Sequence, residues 1–280
     1  MTDAVDRLAT LPDRFDQLRE ATEGLAAAQR DVTEIARFRR QLISDLRAEG
    51  WTYAQIAEKA GLTRGRIHQI RTAGPAAEGA FFGRGALTII TPLKRDEIGA
   101  RPVVAVEDVT ITNQISELAR NLHLEPSAEH IGIDGQVDLN RPNLLVICGP
   151  RLSPPVAKMY AADPYIAWEK SAAGPWTLYD KRTGIVYRSG QDENPPRQRE
   201  VAYFGRLPRL DSDGTLLAFT GIHPQGSLGV AHLLTNELSE LYQQVKTDCF
   251  STIVGSDYDP DTGAVRSVEL LTPLYRHQDA

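Results

Sequence analysis

The sequence is poor in cysteine and lacks long apolar runs, which limits the kind of protein it can encode. It has two cysteines in 280 residues, Cys148 within LLVICGP and Cys249 just before FSTIV. We interpret both as buried thiols, as expected in a reducing compartment. No apolar run approaches the roughly 20 residues of a membrane-spanning helix, and the first residues, MTDAVDRLAT, are too polar for a signal peptide. The sequence therefore predicts a cytoplasmic protein that does not enter membranes.

Positive charge is scarce overall but concentrated in one region. The formal net charge is −6, which gives the whole chain no attraction to nucleic acid. Residues 37–71, however, hold eight basic and three acidic side chains, a local charge of +5. A local field governs phosphate contact more than the total charge does. The length predicts two domains, and 41% hydrophobic residues suffice for a core.

The basic region contains YAQIAEKAGLTRGRIHQI, residues 53–70, whose apolar spacing is helical but is interrupted by a glycine. Thr52 and Gln55 match a capping box. Gly61 suits a left-handed residue at a helix end, and Thr63 suits a second N-cap. Two short helices meeting at a tight turn are therefore predicted. The apolar residues that would join them are Ile56, Ala57, Leu62, Ile67 and Ile70.

This stretch resembles the helix-turn-helix of bacterial regulators, including the region of sigma-70 factors that reads the −35 promoter element. The resemblance covers about residues 51–71 and implies that the helix from Thr63 to Arg71 enters the major groove. Arginine can make a bidentate hydrogen bond to guanine, glutamine can do the same with adenine, and threonine can bind phosphate. The residues expected to contact double-stranded DNA are Thr52, Thr63, Arg64, Arg66, His68, Gln69 and Arg71. A solvated basic helix face is the alternative interpretation.

Upstream of this motif, the pattern predicts two helices, at about 11–30 and 32–49, with Pro12 in a first turn and a second capping box from Asp31 to Glu34. The first carries a short heptad seam, which favours a homodimeric coiled coil or packing within its own domain. The seam consists of Leu8, Leu11, Phe15, Leu18, Thr22, Leu25, Gln29 and Val32. The second helix would bury Ile35, Phe38, Leu42 and Leu46.

The remainder of the chain predicts a separate α/β domain. Residues 1–73 would form the helical domain, 74–80 a linker of small residues, and 81–280 a Rossmann-like sheet with an antiparallel inset near 165–205. Strands are expected at 81–93, 101–109, 143–150, 215–222, 250–259 and 265–275, and helices at 112–123, from Ser153 onward and at 227–245. The segment 191–200 is expected to be an exposed, mobile loop. The organisation as a whole resembles actinobacterial helix-turn-helix proteins with a C-terminal α/β domain.

Three predicted strand-to-helix junctions share polar and glycine residues, namely VAVEDVTITNQ, VICGPRLSPP and FTGIHPQGSLG. In an open α/β sheet such junctions lie where ligands bind, and helix starts with nearby glycine accept phosphate. We therefore expect a pocket for a phosphorylated or nucleotide-like molecule. The candidate ligand-binding residues are Glu107, Asp108, Thr110, Gly149, Arg151, Ser153, Gly221, His223, Gln225, Gly226 and Ser227.

No catalytic or metal-binding constellation stands out, and no cofactor is expected. His223 precedes Ser227, but the sequence offers no acid to orient a histidine base. Asp257, Asp259 and Asp261 alternate as in a calcium loop, yet the glycine is misplaced and a simple turn fits better. The tryptophans at 168 and 176 are expected to pack the inset.

The leading hypothesis is a sequence-specific DNA-binding transcription regulator whose α/β domain senses an unknown small-molecule effector. One alternative is a Rossmann-like nucleotide-processing enzyme that is tethered to DNA. The other is an interaction protein that uses its sigma-like helices to contact RNA polymerase.

Overall fold

The computed structural model describes residues 2–96, 98–99, 101–170 and 174–277 and divides the chain into two compact units, Met1–Gly79 and Ala80–Ala280. The helices of the first unit are α1 (Thr2–Ala9), α2 (Arg14–Ala48), α3 (Tyr53–Lys59) and α4 (Arg64–Ala73). Within the described ranges, no helix has the length and apolarity needed to cross a membrane.

A single 35-residue helix, α2, replaces the two helices predicted for this region. The side chain of Asp13 caps it by accepting from the backbone N–H groups of Phe15 and Asp16. Pro12 therefore lies before the helix, not in its first turn. The capping box expected at Asp31–Glu34 is not used, because the helical hydrogen bonds continue through it and Glu34 pairs instead with Arg37.

The end of α2 packs on the two short helices that follow it. Ile43 of α2 joins a buried cluster with Ile56 and Ala57 of α3 and Ile67 and Ile70 of α4. The expected buried face of this part of α2 is wrong, since Ile35, Phe38 and Leu42 are exposed and only Leu46 packs on the cluster. Ile43 had not been predicted as a core residue.

The segment expected as a linker is attached to α2. The guanidinium of Arg37 is 2% exposed and donates to the carbonyl of Ala76 over 3.0 Å. Arg40 donates to the carbonyl of Gly74 over 2.7 Å. A 3-10 helix, Ala77–Phe82, then leads into the second unit. Residues 74–76 are thus fixed to the first unit by two arginines.

The second unit is mixed α/β. Its strands are β1 (Ala86–Pro92), β2 (Lys94–Arg95), β3 (Pro102–Val103), β4 (Glu125–Ile131), β5 (Leu144–Val146), β6 (Ile166–Lys170), β7 (Trp176–Asp180), β8 (Val186–Tyr187), β9 (Arg199–Pro208), β10 (Thr215–Gly221), β11 (Phe250–Tyr258), β12 (Val265–Leu270) and β13 (Tyr275–Arg276). Its α-helices are α5 (Val106–Asn121), α6 (Pro154–Ala161) and α7 (Pro224–Val245), and a 3-10 turn covers Gly190–Asp192.

The central sheet has eight strands in the order β12-β11-β9-β10-β5-β1-β4, with β13 also paired to β11. Strands β4, β1, β5 and β10 pair in parallel, whereas β9, β11, β12 and β13 pair antiparallel. The carboxyl ends of β1, β5 and β10 therefore lie side by side at one edge. Helices α5 and α7 pack on each other and on the sheet, while α6 and strands β6 and β7 share a buried cluster with other sheet residues.

Several predicted boundaries in this unit are wrong. The run 101–109 is not a strand, because only Pro102–Val103 pairs, in a short hairpin with Lys94–Arg95, and α5 begins at Val106. Helix α7 begins three residues earlier than expected, with Pro224 in its first turn. Strand β4 had not been predicted, since most of its residues are exposed.

The antiparallel inset is smaller than predicted and consists of β6, β7 and β8 alone, since β9 belongs to the central sheet. Buried carboxylates attach it to that sheet. Asp163 accepts from the backbone of Ile166 over 2.9 Å and from the hydroxyl of Tyr203 in β9 over 2.7 Å. Asp180 accepts from the hydroxyl of Tyr275 in β13 over 2.7 Å. These hydrogen bonds fix the position of the inset on the sheet.

Candidate ligand pocket and basic helical face

A pocket opens at the carboxyl ends of the adjacent parallel strands β1, β5 and β10. The start of α5 and the inset complete its walls. Open α/β sheets bind ligands at this kind of edge. The lining residues are Pro92, Lys94, Asp108, Ile147, Cys148, Gly149, Pro150, Arg151, Leu152, Trp168, Trp176, Thr220, Gly221, Ile222, His223, Pro224 and Ser227.

The first turn of α5 brings Asp108 into the pocket. The residue is 7% exposed, and its Oδ2 atom is buried without a hydrogen-bond partner. The Nζ atom of Lys94, just beyond β1, lies 3.9 Å from this oxygen. Burial raises the pKa of the Asp108 carboxyl, and the charge of Lys94 partly opposes the rise. The pocket wall thus presents an acceptor that lacks a donor.

The inset contributes two tryptophans to the opposite part of the wall. The rings of Trp168 and Trp176 meet edge to face, with centroids 6.2 Å apart and an interplanar angle of 74°. The indole Nε1 of Trp168 is buried and has no hydrogen-bond partner. The sequence predicts that these residues pack the inset; the structure shows that they contact each other and also line the pocket.

Two glycines allow the backbone to pack closely at the junction between β10 and α7. A Cβ atom on Gly226 would lie 2.8 Å from the Cα of Gly221 and 2.9 Å from the carbonyl oxygen of Val201. Gly226 therefore permits close backbone packing and does not line the pocket. Ser227 is buried, and its hydroxyl accepts from the backbone N–H of Gly221 over 2.9 Å, so it too stabilises the turn.

His223 has the orienting acid that the sequence did not reveal. Its Nε2 atom lies 3.1 Å from Oδ1 of Asp192, in the 3-10 turn before β9. That turn is packed, since Gln191 bonds Gln225 and Gly190 is buried, so the expected exposed segment 191–200 is in part attached to α7. The Ser227 hydroxyl accepts from the backbone N–H of Gly221, so Ser227 and His223 do not form a nucleophile–base pair.

The loop after β5 supplies a cation and a thiol. Arg151 is exposed at the pocket mouth. Burial raises the pKa of Cys148 to about 12, so this thiol stays protonated at neutral pH and is a poor nucleophile. The loop therefore provides positive charge at the mouth of the pocket and an unreactive thiol at its floor.

The predicted ligand residues fall into three groups. Asp108, Gly149, Arg151, Gly221, His223 and Ser227 line the pocket. Glu107, Thr110 and Gln225 line a separate depression beside α5 and α7. Ser153 and Gly226 are structural: the Ser153 hydroxyl caps α6 and donates to the carbonyl of Gly135 over 2.7 Å, and Gly226 closes the turn.

In the first unit, the predicted caps form as expected. Thr52 and Gln55 make a reciprocal capping box at the start of α3. The Thr63 hydroxyl accepts from the backbone N–H of Arg66 over 3.1 Å at the start of α4, and Gly61 has a φ of +64°. The remaining predicted DNA-contacting side chains are all exposed on α4: Arg64, Arg66, His68, Gln69 and Arg71.

Metal ligation has no support among the residues that the structure describes, where His, Cys, Asp and Glu form no group of three or more suited to an ion. The aspartates near 259 form a turn in which Asp259 accepts from the backbone N–H groups of Asp261 and Thr262. No protein-family model matches the chain, and neither a curated protein nor a solved structure shows significant similarity to it.

Proposed function

We propose that this protein is a sequence-specific DNA-binding regulator of transcription whose α/β unit binds a small phosphorylated or nucleotide-like effector. The observation that supports DNA binding is the division of α4 into a buried apolar side and an exposed basic side. Ile67 and Ile70 are 1% and 3% exposed and hold the helix on α2 and α3. The polar side chains of α4 are then exposed and can contact an external partner.

The exposed side of α4 suits the major groove. Ten residues give a helix of about 15 Å, and the groove of about 12 Å width admits one helix. Arg64 and Arg66 can each fork onto a guanine, and Gln69, which accepts from Arg66 over 3.2 Å, can pair with adenine. No acidic residue occurs between Lys59 and Arg71, so phosphate meets no repulsion from this segment.

We also propose that the protein acts as a homodimer through α2. Large apolar side chains stay exposed along this helix: Phe15, Leu18, Leu25, Val32, Ile35, Phe38 and Leu42. A row of this length on one helix is more than scattered surface apolarity and marks an interaction face. Pairing of two copies would place two α4 helices on half-sites about 34 Å apart, or a multiple of that.

Regulation by the effector requires that the ligand bind two states of the protein with different affinities. The pocket at the ends of β1, β5 and β10 is the proposed effector site, because cations, buried polar atoms and aromatic rings converge there.

A second candidate function is nucleotide processing by the same pocket. The specific observation that favours it is the Asp192–His223 pair, which could hold a general base at the mouth. Incubation of the purified chain with nucleotides, followed by chromatography of the products, tests this candidate. Turnover that disappears in His223→Ala and in Asp192→Asn would favour the enzyme over the sensor.

Duplex selection followed by fluorescence anisotropy at fixed salt tests the DNA-binding proposal. Arg64→Ala and Arg66→Ala should each cost about 1–3 kcal/mol on a selected site if these residues read bases. The matched control is Arg19→Ala, which removes an exposed arginine of α2 that pairs with Asp16. Unchanged affinity in the Arg64/Arg66 double variant would rule out base reading by α4. Binding to RNA polymerase without any DNA preference would point to an interaction protein instead.

A further inference from the structure

Two residues of the pocket each carry a buried polar atom without a hydrogen bond, and the chemistry of these atoms indicates what the pocket binds. In the described part of the chain, three buried side-chain nitrogen or oxygen atoms have no hydrogen bond: Asp108 Oδ2, Trp168 Nε1 and Arg206 Nε. Arg206 is still held through its other nitrogens, by the carbonyl of Phe81 and the hydroxyl of Thr215. The residues that carry the other two atoms, Asp108 and Trp168, line the same pocket. Buried polar groups are normally satisfied, so both atoms call for a ligand.

We propose that the pocket binds a nucleoside phosphate, with the Asp108 carboxylate accepting an N–H of the base and the Trp168 indole donating to a base acceptor. This inference rests on the effector-binding part of the proposed function and specifies the ligand class. The edge of a nucleobase carries donors and acceptors next to one another. It therefore matches a wall that offers one buried acceptor and one buried donor.

The aromatic rings of the inset provide the surface for the base. Trp168 and Trp176 are half-buried and contact each other, and Ile147 and Ile222 add apolar surface to the same pocket. Aromatic side chains bind nucleobases by stacking whatever the base, so stacking supplies affinity while the polar edge supplies selectivity. Because Asp163 and Asp180 fix the inset to the sheet, the rings are held in place before the ligand arrives.

The phosphate belongs at the mouth of the pocket. Arg151 is exposed there, and Lys94 lies on the same side as Asp108 at 3.9 Å. Two cations against one carboxylate leave the pocket with a net positive charge, to which an anion is attracted. Helix α7 also begins at this site, and the positive end of its dipole adds to the attraction.

Isothermal titration calorimetry on the full chain, without DNA, tests the proposal. The probes are the common nucleoside monophosphates, the corresponding nucleosides, ribose 5-phosphate and inorganic phosphate. We expect at least one monophosphate to bind, its nucleoside to bind at least tenfold more weakly, and the two probes without a base to bind more weakly still.

Substitutions test the proposed base-binding and phosphate-binding residues separately. Asp108→Asn and Trp168→Phe should each weaken the preferred nucleotide at least tenfold, and Asp108→Asn should also change the preference among bases. Glu107→Gln, one residue away but outside the pocket, should have no effect. Arg151→Gln should weaken the nucleotide at least tenfold and leave the nucleoside unchanged, whereas Lys158→Gln, an exposed lysine on α6, should alter neither. Thermal unfolding of each variant checks that it is folded.

Three outcomes would overturn the inference: absence of nucleotide binding, ribose 5-phosphate or phosphate binding as tightly as the nucleotides, or full affinity in folded Asp108→Asn and Trp168→Phe. DNA affinity of the ligand-free chain is measured separately. Failure to bind nucleotides with DNA binding intact would reject the nucleotide inference alone, and nucleotide binding without DNA binding would reject the DNA-reading proposal alone.

Discussion

The guanidinium carbon of Arg71 lies 4.4 Å from the ring centroid of Tyr53, and that of Arg47 lies 4.6 Å from the same ring. Tyr53 is the first residue of α3, while the two arginines come from the last turns of α4 and α2. One aromatic ring therefore holds two cations from different helices. Such contacts contribute about 0.5–1 kcal/mol each at exposed sites, and here they orient the basic residues beside the proposed DNA-binding face.

Tyr53→Ala should weaken DNA binding although it removes no charge, because Arg71 and Arg47 would lose the surface that orders them. We expect a loss of about 1 kcal/mol, the upper range of one cation–π contact. Tyr53→Phe keeps the ring and is the control. Anisotropy titrations at fixed salt measure both variants, and equal losses in the two would show that the hydroxyl, not the ring, matters.

Substitution by alanine should change the stability in opposite directions at two glycines within residues 52–71. Gly61 has a φ of +64° with open space around it, so Gly61→Ala is penalised by backbone strain alone, at about 1–2 kcal/mol. Gly65 lies in the first turn of α4 with only the Thr63 hydroxyl within 4 Å, at 3.9 Å, and Gly65→Ala should stabilise by up to about 1 kcal/mol. Urea unfolding measures both changes, and a destabilised Gly65→Ala would contradict the assignment of helical geometry there.

Disruption of the exposed apolar row on α2 should abolish dimers and weaken DNA binding together. Leu18 and Leu25 are 66% and 62% exposed and lie seven residues apart, so Leu18→Asp with Leu25→Asp would put four charges at the centre of a paired seam. The control pair Gly24→Asp and Ala27→Asp adds the same charge at exposed residues outside the a and d positions of the heptad. Analytical ultracentrifugation gives the oligomeric state. A wild-type chain that remains monomeric at high concentration would end the dimer proposal.

Glu200 should make the α/β unit less stable as the pH rises. Burial raises the pKa of this carboxyl, against the opposing effect of hydrogen bonds from Ser189 and the backbone of Val201 and His223. A raised folded-state pKa gives stability that is complete below the unfolded value and is lost as the pH rises through the folded one. Glu200→Gln should therefore be more stable than the wild type above the usual pKa of a glutamate, and the difference should grow as the pH rises, as measured by urea unfolding. The exposed Glu240→Gln is the control, and parallel pH profiles of Glu200→Gln and the wild type would refute the assignment.

Local signals in the sequence were sufficient where a structure is fixed by neighbouring residues. Thr52, Thr63 and Ser153 cap helices through hydrogen bonds that span three residues, so these caps could be predicted from the local sequence. Strand β10 was also predicted, because its continuous apolar run is typical of a buried strand. The Asp31–Glu34 box failed because a cap competes with continued helical bonding, and the helix on both sides favoured continuation.

The pocket was harder to predict, because its parts meet through long-range packing. Lys94 was missed although it follows β1 at the same edge as the junctions that were considered, because only residues between a predicted strand and the helix after it were taken as candidates. Trp168, Trp176 and Asp192 carry no sequence signal for this location, because the inset and the 3-10 turn are placed by hydrogen bonds such as that between Asp163 and Tyr203. Asp108 was expected at the carboxyl end of a strand and reaches the pocket from a helix instead.

The pocket walls come from five stretches of chain that are far apart in the sequence, ending at Lys94, Asp108, Leu152, Trp176 and Ser227. None of these stretches can form the pocket alone, so it exists only after the non-local strand pairings of β1, β5 and β10 are complete. During synthesis on the ribosome, a nascent chain would gain affinity for the effector only once α7 has emerged. In a melting experiment the effector should accordingly raise the transition of residues 80–280 as one cooperative step, and so report on completion of folding as well as on occupancy.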